Sequence, residues 1–334
     1  MKEHPEANEQ ADNPNEPNEP GEPGGDHGLD ADRPSELPAE GWKDVLIRVK
    51  NQMRDDHVSL SAAGVAFFGF LSIIPGLAAF VSLYGLFANP DQVRSRVEQA
   101  FGALPSDARH LLTDQLSRLT ESSRASLGFG LAVSLALALW SASSGVAHLI
   151  EAINLAYNEK QKQGFLKRRG TALLFTFALL VVGIVAAAGI GLAANVGGSN
   201  SLVQWVVRVV TWLVVALLFI VILSVLYRFG PDRDDPKWRW VTPGSVTALV
   251  LWVAISVGFQ FYVANFGSYN KTYGSLAAIV VMLFWLFLSA LVVLIGAELN
   301  SELEHQTARD STVGKERPLG TRDAYVADTV GRRT

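Results

Sequence analysis

The chain has 334 residues, 49% hydrophobic and only 18% charged, and the stretches 127–150 and 275–297 contain no Asp, Glu, Lys or Arg. At 24 and 23 residues each is long enough to cross the hydrocarbon of a bilayer, which excludes an ordinary soluble globule. A net charge of −4 argues against a general nucleic-acid binder, and the absence of Cys excludes disulfide scaffolds, thiol nucleophiles and Cys-ligated metals.

Residues 1–40 differ from the rest. They hold seven of the fourteen prolines, twelve acidic residues and two basic ones, with Asn-Glu-Pro repeated from Asn15 to Pro20. So little apolar surface predicts a disordered acidic tail, and the lack of a basic start and an apolar run argues against a signal peptide. In residues 41–57, Trp42, Val45, Leu46, Val49 and Met53 fall on one helical face, with Lys43, Arg48, Lys50 and Arg54 around it. That pattern predicts an amphipathic helix at the membrane interface or a solvated helix leading into the first span.

The membrane domain, 58–304, is predicted as an all-α bundle of six transmembrane helices at 58–87, 127–150, 171–196, 202–226, 241–266 and 275–297. An even number of spans puts both termini on one side. The loops and termini on that side carry 21 of the 28 Lys+Arg and the opposite loops carry 6, so the positive-inside rule makes the termini cytoplasmic. Between spans one and two, 91–126 shows two apolar helical faces separated by Pro105-Ser106-Asp107, which predicts an external helical hairpin. Residues 305–334 are expected to be a cytoplasmic tail.

Few residues invite chemistry. Pro75-Gly76 interrupts the long first span and should kink or break it, leaving Ser72 beside freed backbone groups. Such breaks either line binding cavities or only serve packing. Gly183, Ala187 and Gly191 form a small-residue stripe for close helix contact. Arg208 lies about 9 Å from the outer end of span four at ~1.5 Å per residue, with Gln260 its nearest polar neighbour in depth. Its side chain either snorkels to the headgroups or turns inward. At the cytoplasmic ends, Glu151, Asn154 and Asn158 of span two and Glu298 and Asn300 of span six read as a polar gate or as caps. In the loop 228–240, Trp238 and Trp240 suit an interfacial belt, and Arg233, Lys237 and Arg239 suit anionic headgroups. The six His are scattered, and there is no phosphate-binding G-x-x-x-x-G-K-[ST] run. Ser144-Gly145 and His148 give the outline of a serine hydrolase without its carboxylate. No catalytic, metal or cofactor residues emerge.

Four stretches carry a resemblance: LSAAGVAFFGFLSIIPGLAAFVSLYGLF from Leu60, LWSASSGVAHLIEAINLAYNE from Leu139, LYRFGPDRDDPKWRWVTPGS from Leu226 and YGSLAAIVVMLFWLFLSALVVLIGAELNSE from Tyr273. In this order and spacing the chain resembles the YihY/virulence factor BrkB family of bacterial inner-membrane proteins, over roughly Trp42 to Glu304. The resemblance implies six transmembrane helices, no prosthetic group and a role in the cell envelope, discussed for the family as transport, including of lipids, and linked to virulence. The family's other label, ribonuclease BN, finds neither a metal cluster nor an acid/base pair in a basic groove. The sequence therefore leads to a transporter or lipid-handling protein not driven by ATP, with a membrane scaffold or assembly factor as the second reading and an enzyme last. Its expected partners are membrane lipids, a lipid or small-solute substrate and a second copy of the chain, with no nucleic acid.

Overall fold

The computed structural model describes residues 27–84, 129–193, 201–266 and 275–333. The predicted hairpin 91–126 lies outside them. Among the described residues the chain is all-α: α1 Ala39–Asp55, α2 Val58–Tyr84, α3 Phe129–Ala156, α4 Phe165–Ala193, α5 Ser201–Phe229, α6 Trp238–Phe266, α7 Ser275–Glu304 and the short α8 Tyr325–Asp328, with a 3-10 turn at Pro34–Glu36. Six of these, α2 to α7, are long and apolar enough to cross a membrane.

Three helices outrun their predicted spans by more than a turn at one end. α3 continues through Glu151 and Asn154, α4 begins at Phe165 and takes in Lys167, Arg168 and Arg169, and α7 runs on to Glu304. Hydropathy stops where charge begins, whereas the i to i−4 ladder needs no apolar side chain and continues beyond the hydrocarbon. These extensions lie at the end of the bundle where Leu29 and Gly331 both bond to residues just after α7, called the terminal face below.

The main core gathers at that end. Val58 and Ala62 of α2, Ile150 and Ile153 of α3 with Tyr157 just after it, Leu226 and Tyr227 of α5, Val241 and Ala248 of α6, and Leu294 and Ala297 of α7 form one buried cluster. Large apolar side chains such as Leu174, Leu213, Val250 and Phe261 instead point outward, as lipid contact requires. Two crossings set the helix spacing. Where α6 meets α7, a Cβ on Gly244 would come 2.0 Å from the Gly296 carbonyl oxygen, so only two glycines permit the approach. Where α2 meets α3, a Cβ on Gly145 would come 3.1 Å from Gly69 Cα and from Ser72 Oγ. Of the small-residue stripe on α4, Ala187 is buried and Gly183 sits near the Phe80 ring of α2.

Three expectations are corrected at the terminal face. Residues 27–40 are not tail: Ala31 and Leu37 are buried with Val45, Val49, Trp240, Leu299 and Leu303, and the Ala308 N–H donates to the Leu29 carbonyl at 2.8 Å. Acidic and Pro-rich composition hid them because two apolar side chains and a few backbone bonds suffice once another segment supplies the partners. The same cluster takes up Val45 and Val49 of α1, so much of that helix's apolar face packs on protein, not on a membrane surface, while Leu46 stays exposed. Residues 305–333 likewise fold back. The loop after α5 zips against them, with Lys237 N–H donating to Ser311 O (2.8 Å) and Val313 N–H to Asp235 O (2.9 Å).

Candidate functional site

Small and polar residues bring α2 and α3 together and then let them part. Ser72 Oγ donates to the Phe68 carbonyl (2.8 Å) and accepts from the Gly145 N–H (2.9 Å), so one hydroxyl bridges both backbones where Gly145 leaves room for it. From there toward the terminal face the helices flank an open groove of about 440 Å³. Val65, Phe68, Ala152 and Leu155 supply its apolar wall, and Ser61, His148, Glu151, Asn154, Glu159 and Gln161 its polar lining.

Four of these polar groups have a definite setting. The His148 ring stacks on Phe68 with centroids 3.7 Å apart, and its Nδ1 lies 3.4 Å from the Glu151 carboxylate. Asn154 accepts the Asp232 N–H at 2.7 Å and donates to Ile150 O at 3.1 Å, which pins the loop after α5 to the end of α3. Burial raises the Glu159 carboxyl above its ordinary pKa, even though it accepts the Tyr325 N–H at 2.7 Å. An apolar wall facing a rim of carboxylates and an imidazole suits an amphiphilic ligand with a polar head.

The predicted site residues separate into groups. Glu151 and Asn154 line the groove, and Ser72 is not among its lining residues but bridges α2 and α3 at Gly145. Pro75 and Gly76 are not among its lining residues. α2 stays helical through Pro75, and a Cβ on Gly76 would meet Ala142 at an ordinary 3.8 Å. Glu298 and Asn300 are fully buried elsewhere: Asn300 accepts the Gly244 N–H (2.7 Å) and donates to Val241 O (3.0 Å), clamping α7 to α6 beside Pro243. Arg208 and Gln260 are exposed, with no hydrogen bond or ion pair joining them among the described residues.

The charged loop is also rearranged relative to its sequence reading. Arg233 is no headgroup ligand: its side chain is fully buried, pairs with Glu304 and lies over the Tyr157 ring at 5.2 Å. Burial works against the charge, but Glu304 wins and holds the guanidinium above its ordinary pKa. Trp240 is 1% exposed and belongs to the core, and the Lys237 ammonium donates to Asp310 O (2.6 Å). Trp238 stays exposed, with Arg228 packed 4.4 Å over its ring. The hydrolase outline is not assembled, because Ser144 Oγ accepts from Arg169 at 3.2 Å while His148 turns to Phe68 and Glu151. Among the described residues no three His, Asp or Glu are grouped to hold a metal ion.

Sequence reading missed the cap that roofs the terminal face. Arg48 donates to Glu302 Oε2 (2.6 Å), Gln306 Oε1 (2.6 Å) and Arg332 O (3.1 Å), tying α1 to α7 and to the chain end. Buried Arg322 donates to the carbonyls of Ala308 (3.0 Å), Arg309 (3.2 Å), Arg317 (2.9 Å) and Ala327 (2.5 Å). Lys162 pairs with Asp323, which raises its pKa, and Asp232 accepts the N–H groups of Lys162 (2.6 Å) and Gln163 (2.7 Å). One local signal was legible: Asp310-Ser311-Thr312 has the form of an Asx turn, and the Asp310 carboxylate accepts both the Thr312 N–H (2.9 Å) and its hydroxyl (2.6 Å).

Comparison with known proteins agrees with this architecture. The family described as Virulence factor BrkB matches residues 49–319. A putative ribonuclease-like protein, YfkH, of Bacillus subtilis is 31% identical over 250 residues, covering 72% of this chain and 88% of that protein. A UPF0761 membrane protein of Idiomarina loihiensis is 27% identical over 269 residues, covering 76% and 88%. No solved structure matches. The family match starts within α1 and stops before Arg322, so both ends of the cap lie beyond it.

Proposed function

Starting from a chain that belongs to the Virulence factor BrkB family, we propose that it is a bacterial inner-membrane protein of the cell envelope that moves or presents a lipid or small solute, without ATP, at the α2/α3 groove. The observation that carries this reading is the groove itself, an apolar wall and a polar rim in one 440 Å³ space. Exposed Phe67, Leu71 and Leu155 lie on the same two helices, where acyl chains have ready contact. The basic bias of the loops supports a cytoplasmic terminal face. The ribonuclease-like name of the Bacillus relative is not carried to this chain, since the charged groups of the loop after α5 are spent on the cap.

Reconstitution in liposomes with lipid and solute flux assays tests the function. Wild type is expected to accelerate flux of at least one amphiphile, and Glu151→Gln or a bulky Ser61→Trp in the groove to reduce it at least tenfold. A wild type with no flux, or variants that retain full flux, would remove the proposal in favour of a scaffold. Orientation is tested separately. Single cysteines at Gln161, Asp234 and Ser311 should resist a membrane-impermeant thiol reagent in intact cells, and ones at Ser106 and Ser199 should react.

A further inference from the structure

The buried carboxyl of Glu298 has no role in the groove and poses a physical problem. It is 0% exposed, and no N–H or O–H of the described residues donates to either of its oxygens. What faces it is another carboxyl, that of Asp56, which sits in the joint between α1 and α2 and accepts from Gln52 Nε2 at 3.0 Å. The cations nearby are already engaged. Arg48 is held by Glu302 and Gln306, His305 lies 3.7 Å from Glu302, and Arg233 is paired with Glu304. Other groups acting on the pair add no positive charge: Glu302 follows one turn on along α7, Asp55 acts on Asp56 alone, and the Tyr157 phenol comes from just beyond the end of α3. On the same two helices, Val58 and Ala62 of α2 and Leu294 and Ala297 of α7 are buried in the main core.

Two carboxylates cannot face each other in such a place without a counter-charge. A single proton resolves the conflict by turning one acid into the donor of an O–H···O bond to the other, and the two then titrate as a pair. We propose that Asp56 and Glu298 form a proton-binding site that joins the α1–α2 joint to α7 through one shared proton. Half-buried Asp56 gives the site its route to water on the terminal face. Release of the proton breaks that hydrogen bond and leaves two anions opposed, which drives the start of α2 away from α7. The neighbouring residue, His57, has a left-handed backbone (φ +49°), so α1 and α2 are separated by a turn and are not one continuous helix. Burial also raises the Asp56 carboxyl above its ordinary pKa, in the direction a shared proton requires. The inference stands apart from the transport reading, because it concerns how α2 is held and not what occupies the groove.

Infrared pH-difference spectroscopy on the full chain in lipid nanodiscs tests it. Wild type should show a protonated-carboxyl C=O band at neutral pH that converts to carboxylate at alkaline pH. That band should be lost in Glu298→Gln and in Asp56→Asn, because either amide supplies its own N–H to the carboxylate that remains. Thermal stability gives a second readout. The folded wild type holds a proton that the unfolded chain releases, so its Tm should fall as pH rises through the titration, and that part of the slope should vanish in both variants. Should Glu298→Gln fail to insert, the half-exposed Asp56→Asn decides alone. A wild type without the neutral-pH band, or a folded variant that keeps both the band and the slope, overturns the site.

Discussion

The chain contains Pro-Gly inside two spanning helices, Pro75-Gly76 and Pro243-Gly244, and the structure predicts opposite outcomes for the same glycine-to-alanine change. At Gly244 the added methyl would lie 2.0 Å from the Gly296 carbonyl oxygen and 2.5 Å from Asn300 Cγ. Both are backbone or clamped atoms, so α6 and α7 must separate. Overpacking of this kind costs about 1–3 kcal/mol. Separation also strains the two Asn300 hydrogen bonds, worth about 1 kcal/mol each. Gly244→Ala should therefore destabilise by roughly 3–5 kcal/mol. At Gly76 the new methyl meets Ala142 at 3.8 Å, an ordinary contact, and helix propensity favours alanine by about 1 kcal/mol. Gly76→Ala should be neutral or slightly stabilising. Thermal and denaturant unfolding followed by tryptophan fluorescence in matched detergent micelles would measure both. Equal stability of the two variants, or a larger loss for Gly76→Ala, would refute the reasoning about which crossing is closed by glycine.

The cap yields further expectations. Arg48→Ala leaves Glu302 buried without its main partner and should cost about 3–5 kcal/mol by denaturant unfolding, and Arg48→Lys should recover less than half of it because one ammonium cannot replace the forked contacts to Glu302 and Gln306. Deleting residues 2–26 should leave Tm unchanged, whereas deletion through Leu37 removes the burial of Ala31 and Leu37 and the Thr307 hydroxyl bond to Ala31 O (2.7 Å), a loss of about 3 kcal/mol. Asp310 gives a pH dependence of opposite sign to the proton site. Burial works to raise its pKa, but the Thr312 N–H and hydroxyl and the Arg317 N–H (2.8 Å) hold it below the usual carboxylate range. Its stabilisation is present above that range and lost as pH falls through it. Limited proteolysis of residues 305–333 should therefore accelerate on acidification in wild type, and Asp310→Asn should be cleaved readily at every pH.

Hydropathy and charge by themselves determined the six spans, because crossing hydrocarbon is a local demand that each segment meets with its own side chains. They also marked Glu151 and Asn154 as polar groups at a helix end. Only the tertiary structure decided what such residues do. Arg48 finds Glu302 254 positions away, and Asn300 meets Gly244 56 positions away, distances at which periodicity carries no information. Arg233 and Arg208 are both arginines near the ends of apolar helices, yet one is walled in with Glu304 and the other is exposed. The same applies to the Pro-Gly pairs, since a glycine's worth depends on the atom across the interface. Residues 27–40 and 305–333 read as tails because each is too polar to bury a core alone. They fold because their hydrogen-bond partners lie in each other and in the ends of the bundle, and pairings of that kind are written in no single segment.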